Sequence, residues 1–406
     1  MTQLLRHRLS GMSFPSVVLF LMMVGLLFSR ALLSLIHPVL LIWIMVEGRK
    51  KAFPTGSLIG WSLFALALPL LGCWQTPFTG KHFDLLLTWL MYPIAFYCVA
   101  LLNEKNIRQL IQWCQVAAIA GILYALISYL FTLSDWNRAY GTGQSLPTFM
   151  DSDHVRFGLF LCGTGLLTWL SDGLSKQTKF IYLLILLIAI LIMAVRSAWV
   201  GAIIILLTCT FYSGNENHWF RIRQMFLILF FILLAIGAGY LLFPTIQQKW
   251  AYMVYDWQQF AQSADRLGYS DGARRLINSL AWETIEKNKW TGVGWGNISS
   301  VMENNFLEKF PEQKLSFSWP FNQWLFWWLG AGISGLLLFS AWLLFPLFQG
   351  IQQKNTGIIA WTLVIAASCW VESTLSFQFG VWLHAWIGAL AWRVSMTNKT
   401  SVPIRE

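Results

Sequence analysis

Charge is what this 406-residue sequence has least of: Asp, Glu, Lys and Arg together make 11% of it, against about 25% in soluble globular domains. So few charges cannot cover the surface of water-soluble globules of this length, which excludes a string of two or three soluble domains. Cysteine is equally sparse. Cys73, Cys98, Cys114, Cys162, Cys209 and Cys369 fall within or beside apolar runs, with no CxxC pair. That spacing indicates neither a disulfide framework nor a zinc site, and the six read as buried free thiols. No HxxxH and no carboxylate pair points to a bound metal. The net charge of +10 is scattered between apolar runs. It forms no Lys/Arg stripe, so a nucleic-acid partner is excluded.

Apolar residues are abundant, at 57%, with 24 Trp and 30 Phe. A segment crossing a hydrocarbon core of about 30 Å needs roughly 20 apolar residues, fewer where a helix kinks. About twelve runs qualify on that criterion: Phe14 to Phe28, Ala31 to Val46, Ser57 to Trp74, Phe83 to Leu102, Leu110 to Leu133, Val155 to Leu170, Phe180 to Val195, Ala198 to Tyr212, Met225 to Phe243, Asn322 to Leu347, Ile358 to Trp370, and Gly380 to Trp392. The pattern predicts an all-α polytopic membrane protein in three parts. Residues 1–243 hold nine spans, 244–320 form one long hydrophilic loop, and 321–406 hold three spans and a tail. The first span reads as an uncleaved signal anchor, because no small-residue cleavage site follows it.

Basic residues set the orientation. The loops on the side of the termini carry Arg6, Arg8, Arg49, Lys50, Lys51, Lys105, Arg108, Lys176, Lys179, Arg221, Arg223, Lys354, Arg393, Lys399 and Arg405. The short loops of the opposite side carry only Arg30, Lys81, Arg138, Arg156 and Arg196. By the positive-inside rule both termini are cytoplasmic and the 244–320 loop is external. The whole +10 excess lies on the cytoplasmic side, so it is an orientation signal, and the external side is electrically balanced.

Chemistry is expected on that balanced face. The loop predicts an amphipathic helix from Gly272 to Lys289, N-capped by Ser270 or Asp271. It is followed by a glycine turn, Trp290-Thr-Gly-Val-Gly-Trp-Gly-Asn297. The triplet lacks the preceding strand of a dinucleotide fold and the GK[ST] of a P-loop, so it reads as a tight backbone turn. Arg196, between two otherwise uncharged spans, together with Arg274 and Arg275 at the helix start, would suit a phosphate or diphosphate. The bland alternative has Arg196 snorkelling to headgroups and Arg274 pairing with Asp271 or another loop acid. Asp151-Ser-Asp153-His154-Val-Arg156 is the densest ionisable cluster; His154 suits a general base, or the segment is a solvated helix cap. His384, alone on an apolar helix, reads as a packed core histidine.

In order and placement these pieces resemble the O-antigen ligase superfamily, which also holds O-antigen polymerases and bacterial O-oligosaccharyltransferases. The Arg196 hairpin is one match. Ser270-Asp-Gly-Ala-Arg274 followed by Trp290-Thr-Gly-Val-Gly-Trp-Gly-Asn297 is similar to the family's S-x-G-x-R … P-x-x-G-x-G block. Pro320-Phe-Asn322-Gln-Trp-Leu325 … Gly330-Ala-Gly332-Ile-Ser-Gly335 is similar to its (P)HN-x-x-L … G-x-x-G block. The resemblance implies a GT-C-like fold in the bacterial inner membrane. It also implies a metal-independent, inverting transfer of a glycan from undecaprenyl pyrophosphate to lipid A core oligosaccharide at the periplasmic face, with no cofactor. Arg196 and Arg274 would hold the pyrophosphate, with Arg275 the alternative match; Asn322 is the retained motif asparagine, and Arg156 and His154 are candidates for the substrate site.

Where the family's motif has the histidine that activates the acceptor, this sequence has Phe321, which neither accepts a proton nor donates a hydrogen bond. An inactivating substitution, a natural loss of activity, and a base supplied elsewhere, by His154, all account for this; substitution or loss is the expectation preferred here. A polymerase uses the same donor with a second lipid-linked repeat unit as acceptor. A transporter is disfavoured, because the spans hold almost no midplane charge and no internal repeat; Asp84 and Glu372 lie near the outer edge. A non-enzymatic glycan-lipid binding protein gains from Phe321.

Overall fold

A computed structural model describes residues 13–52, 54–73, 80–212, 218–262, 270–312 and 318–400. The described residues contain helices and no strands. Phe14–Phe28 (α1), Arg30–Lys51 (α2) and Ser57–Phe64 (α3) come first. Gly80–Trp89 (α4), Met91–Leu101 (α5), Glu104–Phe131 (α6) and Leu133–Tyr140 (α7) follow. His154–Leu170 (α8), Lys176–Ile192 (α9), Arg196–Tyr212 (α10) and His218–Leu242 (α11) complete the first part. The long hydrophilic stretch folds as Pro244–Gln262 (α12), Ser270–Asn288 (α13) and Ile298–Lys309 (α14). Gln323–Gln352 (α15), Thr356–Val371 (α16), Gln378–Trp382 (α17) and Gly388–Thr400 (α18) close the chain.

Small polar residues set the helix starts. Ser29, Asn103, Asp153, Ser175, Asn322 and Asn355 each accept an N–H from the first turn of the helix they precede, satisfying donors that the helix itself leaves free. Five helical stretches among the described residues are long and apolar enough to cross a membrane: Arg30–Lys51, Gly80–Leu101, Glu104–Phe131, Ile222–Leu242 and Gln323–Gln352. Phe14–Phe28, Ser57–Leu70, Arg196–Tyr212 and Thr356–Val371 are apolar but shorter. The expected run from Ser57 to Trp74 is α-helical only to Phe64 and then tightens into a 3₁₀ turn at Leu68–Leu70. Pro69 there has no N–H to continue the ladder.

Helix α16 is the central strut. It packs on α10 along one side and α15 along another, while α8, α18 and the π-helical turn Leu383–Ile387 lie close by. An aromatic layer fills the middle. Trp61 and Trp342 stack at 4.9 Å between ring centres and 9° between planes. Their indoles donate to each other's backbone oxygens, at 2.7 and 3.3 Å. Tyr92 packs edge-on against both and Trp89 lies tilted on Trp342, and Tyr92 Oη lies 2.9 Å from His384 Nδ1. His384 is therefore a packed and bonded core residue, as its isolation in the sequence implies.

The two glycine blocks form one joint. Helix α15 breaks at Ala331 and Gly332, the latter with φ of 68°. The turn after α13 docks into that break, with Val293 N–H donating to Leu329 O at 2.8 Å and Gly294 N–H to Gly330 O at 3.0 Å. In return Ile333 N–H donates to Lys289 O at 3.0 Å. A Cβ on Gly292, whose φ is 73°, would lie 2.5 Å from Gly332 N. A Cβ on Gly332 would meet Trp290 O. Neither position has room for a side chain, so the glycines serve backbone contact.

Candidate active site

That joint fixes the far end of α13, and a second contact fixes its start. The backbone N–H groups of Asp271 and Gly272 donate to the Asp256 carboxylate of α12, at 2.7 and 3.1 Å. The cap therefore comes from a residue of the preceding helix, and Asp271 sits inside the first turn. Its carboxylate grips Arg196 of α10 in a bidentate pair, at 3.0 and 2.8 Å. Three residues along, Arg274 meets Glu372 at 2.6 Å. Arg274 is thus bound to an acid at the end of α16, and Asp271 takes Arg196, so the bland alternative's pairing of Arg274 with Asp271 is not the one formed.

Glu372 is buried and shared. Its second oxygen lies 3.2 Å from Arg156 Nη1 on α8, and Asp153 reaches the same nitrogen at 3.2 Å. Arg156 is buried too, at 8% side-chain exposure. Its Nε and Nη2 atoms have no hydrogen-bond partner among the described residues. A buried guanidinium with donors to spare is costly unless an acceptor arrives. Aromatic rings cover the cations: Phe377 under Arg156 at 4.9 Å, Phe321 under Arg274 at 5.0 Å and Trp257 under Arg275 at 3.9 Å. Arg275 is thus set against α12, whereas Arg274 joins Glu372 and Phe321.

The motif before α15 frames the same end. Phe321 N–H donates to Asn278 Oδ1 at 2.7 Å, one helical turn beyond Arg274. The Asn322 side chain accepts from Trp324 and Leu325 N–H at 2.9 and 3.1 Å, and its amide donates to Trp370 O at 2.9 Å. Asn322 is committed to holding the helix start against α16. Gln323 accepts from Leu375 N–H at 2.8 Å and donates to Ser376 at 3.0 Å, which anchors the loop after Glu372.

On the α8 side the backbone is strained. Met150, Asp151 and Ser152 have φ of 65°, 57° and 60°, three consecutive non-glycine residues in the left-handed region. Each costs roughly 1–2 kcal/mol, and such strain concentrates where function over-determines the backbone. Met150 is fully buried, its N–H donates to Leu27 O at 3.1 Å, and Arg30 pairs with Asp151 at 2.5 Å. Asp153 then caps α8 through Arg156 N–H at 3.1 Å. Asp153 is thus a helix cap, as one reading of this cluster expects, and also half of an ion pair.

Lys249 of α12 completes the group. It donates to Gly143 O at 3.2 Å. Burial, with repulsion from Arg196 and Arg274 and partial relief from Asp271, lowers its pKa to about 8. Burial pushes the Asp271 carboxyl up, but Arg196, Arg274 and Lys249 outweigh it and hold the carboxyl below its ordinary value. Burial and the Lys249 charge bring His154 down to about 4; Asp153 and Glu372 oppose this and Arg274 adds to it. Its ring is therefore neutral at pH 7, and makes no hydrogen bond among the described residues.

The sequence reading thus placed Arg156, Arg196, Arg274, His154 and Phe321 at one end of the bundle, and the structure gathers them there. It missed Lys249, Asp256, Gln323 and the bridging role of Glu372. The signal for Glu372 was available, since a lone acid at the end of an apolar run marks a functional position.

Residues 181–340 match the family model described as O-Antigen ligase. That match supports a relationship of this segment to the O-antigen ligase superfamily. No curated protein matches the chain. The matched segment contains Arg196, Lys249, Arg274 and Phe321; His154, Arg156 and Glu372 lie outside it. That family is one of O-antigen ligase-type or polymerase-type glycan transfer.

Proposed function

We propose that the chain moves a glycan from undecaprenyl pyrophosphate to lipid A core oligosaccharide at the periplasmic face of the bacterial inner membrane, by inverting displacement without a metal. One observation carries the reading: guanidinium groups from α8, α10 and α13 converge at one end of the bundle, with two buried Arg156 donors unpaired. Guanidinium donors match phosphate oxygens bidentately, and they would stabilise charge as the pyrophosphate leaves the anomeric carbon. The half-exposed Arg196–Asp271 pair opens at little cost to admit the donor.

An apolar cleft of about 220 Å³ supports the lipid part of the donor. Ile190, Trp199, Ala202, Leu206, Phe231 and Ile232 are among its lining residues, from α9, α10 and α11. Trp199 lies one helical turn from Arg196, so a chain in this cleft places its diphosphate toward the arginines.

Phe321 favours a second reading, in which the chain binds the lipid-linked glycan without turning it over. Purified protein with lipid-linked glycan and lipid A core separates the two. Glycosylated core confirms the transferase, and donor bound without product favours the binding protein. Accumulation of unligated long chains in a deletion strain marks a ligase; accumulation of single repeats marks a polymerase. Unchanged donor binding in Arg274→Ala refutes the pyrophosphate role.

A further inference from the structure

We propose that the Arg30–Asp151 ion pair is a latch on the left-handed turn before α8, which makes Arg30 a positioning residue for Arg156. It acts through the backbone and touches no substrate. Its assigned purpose rests on the diphosphate reading above, whereas the latch itself is a property of the chain. Six non-glycine residues have positive φ among the described residues, and three of them are single: Ala52, Ala194 and Lys354. Met150, Asp151 and Ser152 form the one continuous run, with Arg156 four residues beyond it. L-residues disfavour this region because Cβ crowds the following carbonyl, so a run of three persists only where other contacts outweigh the preference.

Those contacts come largely from the corner between α1 and α2. Met150 is buried and its N–H donates to Leu27 O at 3.1 Å, while the neighbouring Phe149 ring packs against Phe28 and Tyr124, at 4.9 and 5.2 Å between ring centres. Asp151 is half exposed, and Arg30 Nε holds its carboxylate at 2.5 Å. Arg30 is in turn fixed. It opens α2 behind the Ser29 cap, its guanidinium lies 4.9 Å from the centre of the buried Phe379 ring, and its carbonyl accepts from Gln378 Nε2 at 3.5 Å. Gln378 also donates to Ser34 Oγ at 2.9 Å.

Two routes therefore join Arg30 to Arg156. One runs through Asp151 and the turn to Asp153, which caps α8 and lies 3.2 Å from Arg156 Nη1. The other runs from Phe379 back to Phe377, whose ring centre lies 4.9 Å from the Arg156 guanidinium. Together they close a ring of contacts around the buried Arg156, whose Nε and Nη2 lack a partner among the described residues. An exposed ion pair contributes little by itself, so the buried anchors at Met150 carry most of the strain and the latch decides the remainder. With Arg30 removed, Asp151 and Ser152 are free to leave the left-handed region, and Asp153 moves with them. Arg156 is then left to Glu372 alone, and its spare donors are no longer set for a diphosphate.

The test uses the full chain in lipid nanodiscs, with equilibrium binding of undecaprenyl pyrophosphate and amide hydrogen exchange across residues 150–156 as readouts. Arg30→Gln should speed exchange of the Met150 and Asp153 amides and weaken binding, each by about fivefold. Ser152 is exposed, so its substitution changes the backbone preference without removing a packed side chain. Ser152→Val, which disfavours the left-handed region and leaves every ion pair in place, should weaken binding by about tenfold. Ser152→Gly in the Arg30→Gln background should return affinity to within about twofold of wild type, because glycine adopts positive φ freely and restores no charge. Persistence of the loss in that double variant overturns the proposal in favour of plain charge attraction by Arg30. Unchanged exchange at Met150 and Asp153 in Arg30→Gln also overturns it. Faster exchange there, with no pyrophosphate binding by the wild type, sinks the diphosphate reading and upholds the latch.

Discussion

The aromatic layer and the arginine end are built from opposite materials and solve the same problem differently. In the layer, the polar atoms of Trp61, Trp342, Trp89, Tyr92 and His384 are paired inside the protein, with backbone oxygens or each other. Trp327 and Trp382, whose indole nitrogens lack a partner, are the exceptions nearby. At the arginine end, carboxylates hold Arg156, Arg196 and Arg274, yet among the described residues two buried Arg156 donors have no hydrogen-bond partner. Burial alone therefore does not mark a functional position; unpaired cationic donors beside a strained backbone are the stronger mark.

Two substitutions, one in each region, should have the largest effects. Arg274→Ala should weaken lipid pyrophosphate binding by at least about 100-fold in the folded fraction. Trp342→Ala should cost about 3–5 kcal/mol of stability and leave affinity unchanged in the folded fraction. Equal effects of both on affinity, measured by equilibrium binding in nanodiscs, would erase the distinction.

Next comes a contrast within the arginine end. Glu372→Gln strands two cations around a buried site and should cost about 3–5 kcal/mol, read as a lower unfolding temperature that added pyrophosphate partly restores. Asp271→Asn, at the half-exposed pair, should cost about 1 kcal/mol or less. Indifference of the Glu372→Gln unfolding temperature to pyrophosphate would show that the arginines bind no anion.

A smaller effect is expected from pH. Lys249 is a cation below about 8 and neutral above it. Donor affinity should therefore fall a few-fold as pH rises through that value. Lys249→Met should be weaker at neutral pH and lose this dependence.

Sequence made much of this legible, for physical reasons that differ by residue. The polytopic class followed from charge scarcity, and the helix of 272–289 from its apolar spacing; the structure sets that helix at Ser270–Asn288. Arg196 and Arg274 stood out because each is expensive where it lies. Their partners did not, since Asp256 capping a helix from the preceding one and Glu372 bridging α8 to α13 are long-range contacts that no local pattern encodes. The glycine turn was readable as a tight turn, while its docking into the break at Gly332 was not. Neither was the role of Asn322, which holds a helix start and not a reacting group. His154 was legible as an ionisable residue; its unpaired, neutral state depends on burial that only the fold shows.

A diphosphate held at this end of the bundle is what the arginines are proposed to bind. Equilibrium binding of undecaprenyl pyrophosphate to the wild-type chain and to Arg156→Gln/Arg274→Gln in nanodiscs measures that directly. Saturable binding by the wild type, reduced by at least about 100-fold in the double variant with its fold intact, is the result predicted. Equal affinity in the two proteins would contradict it.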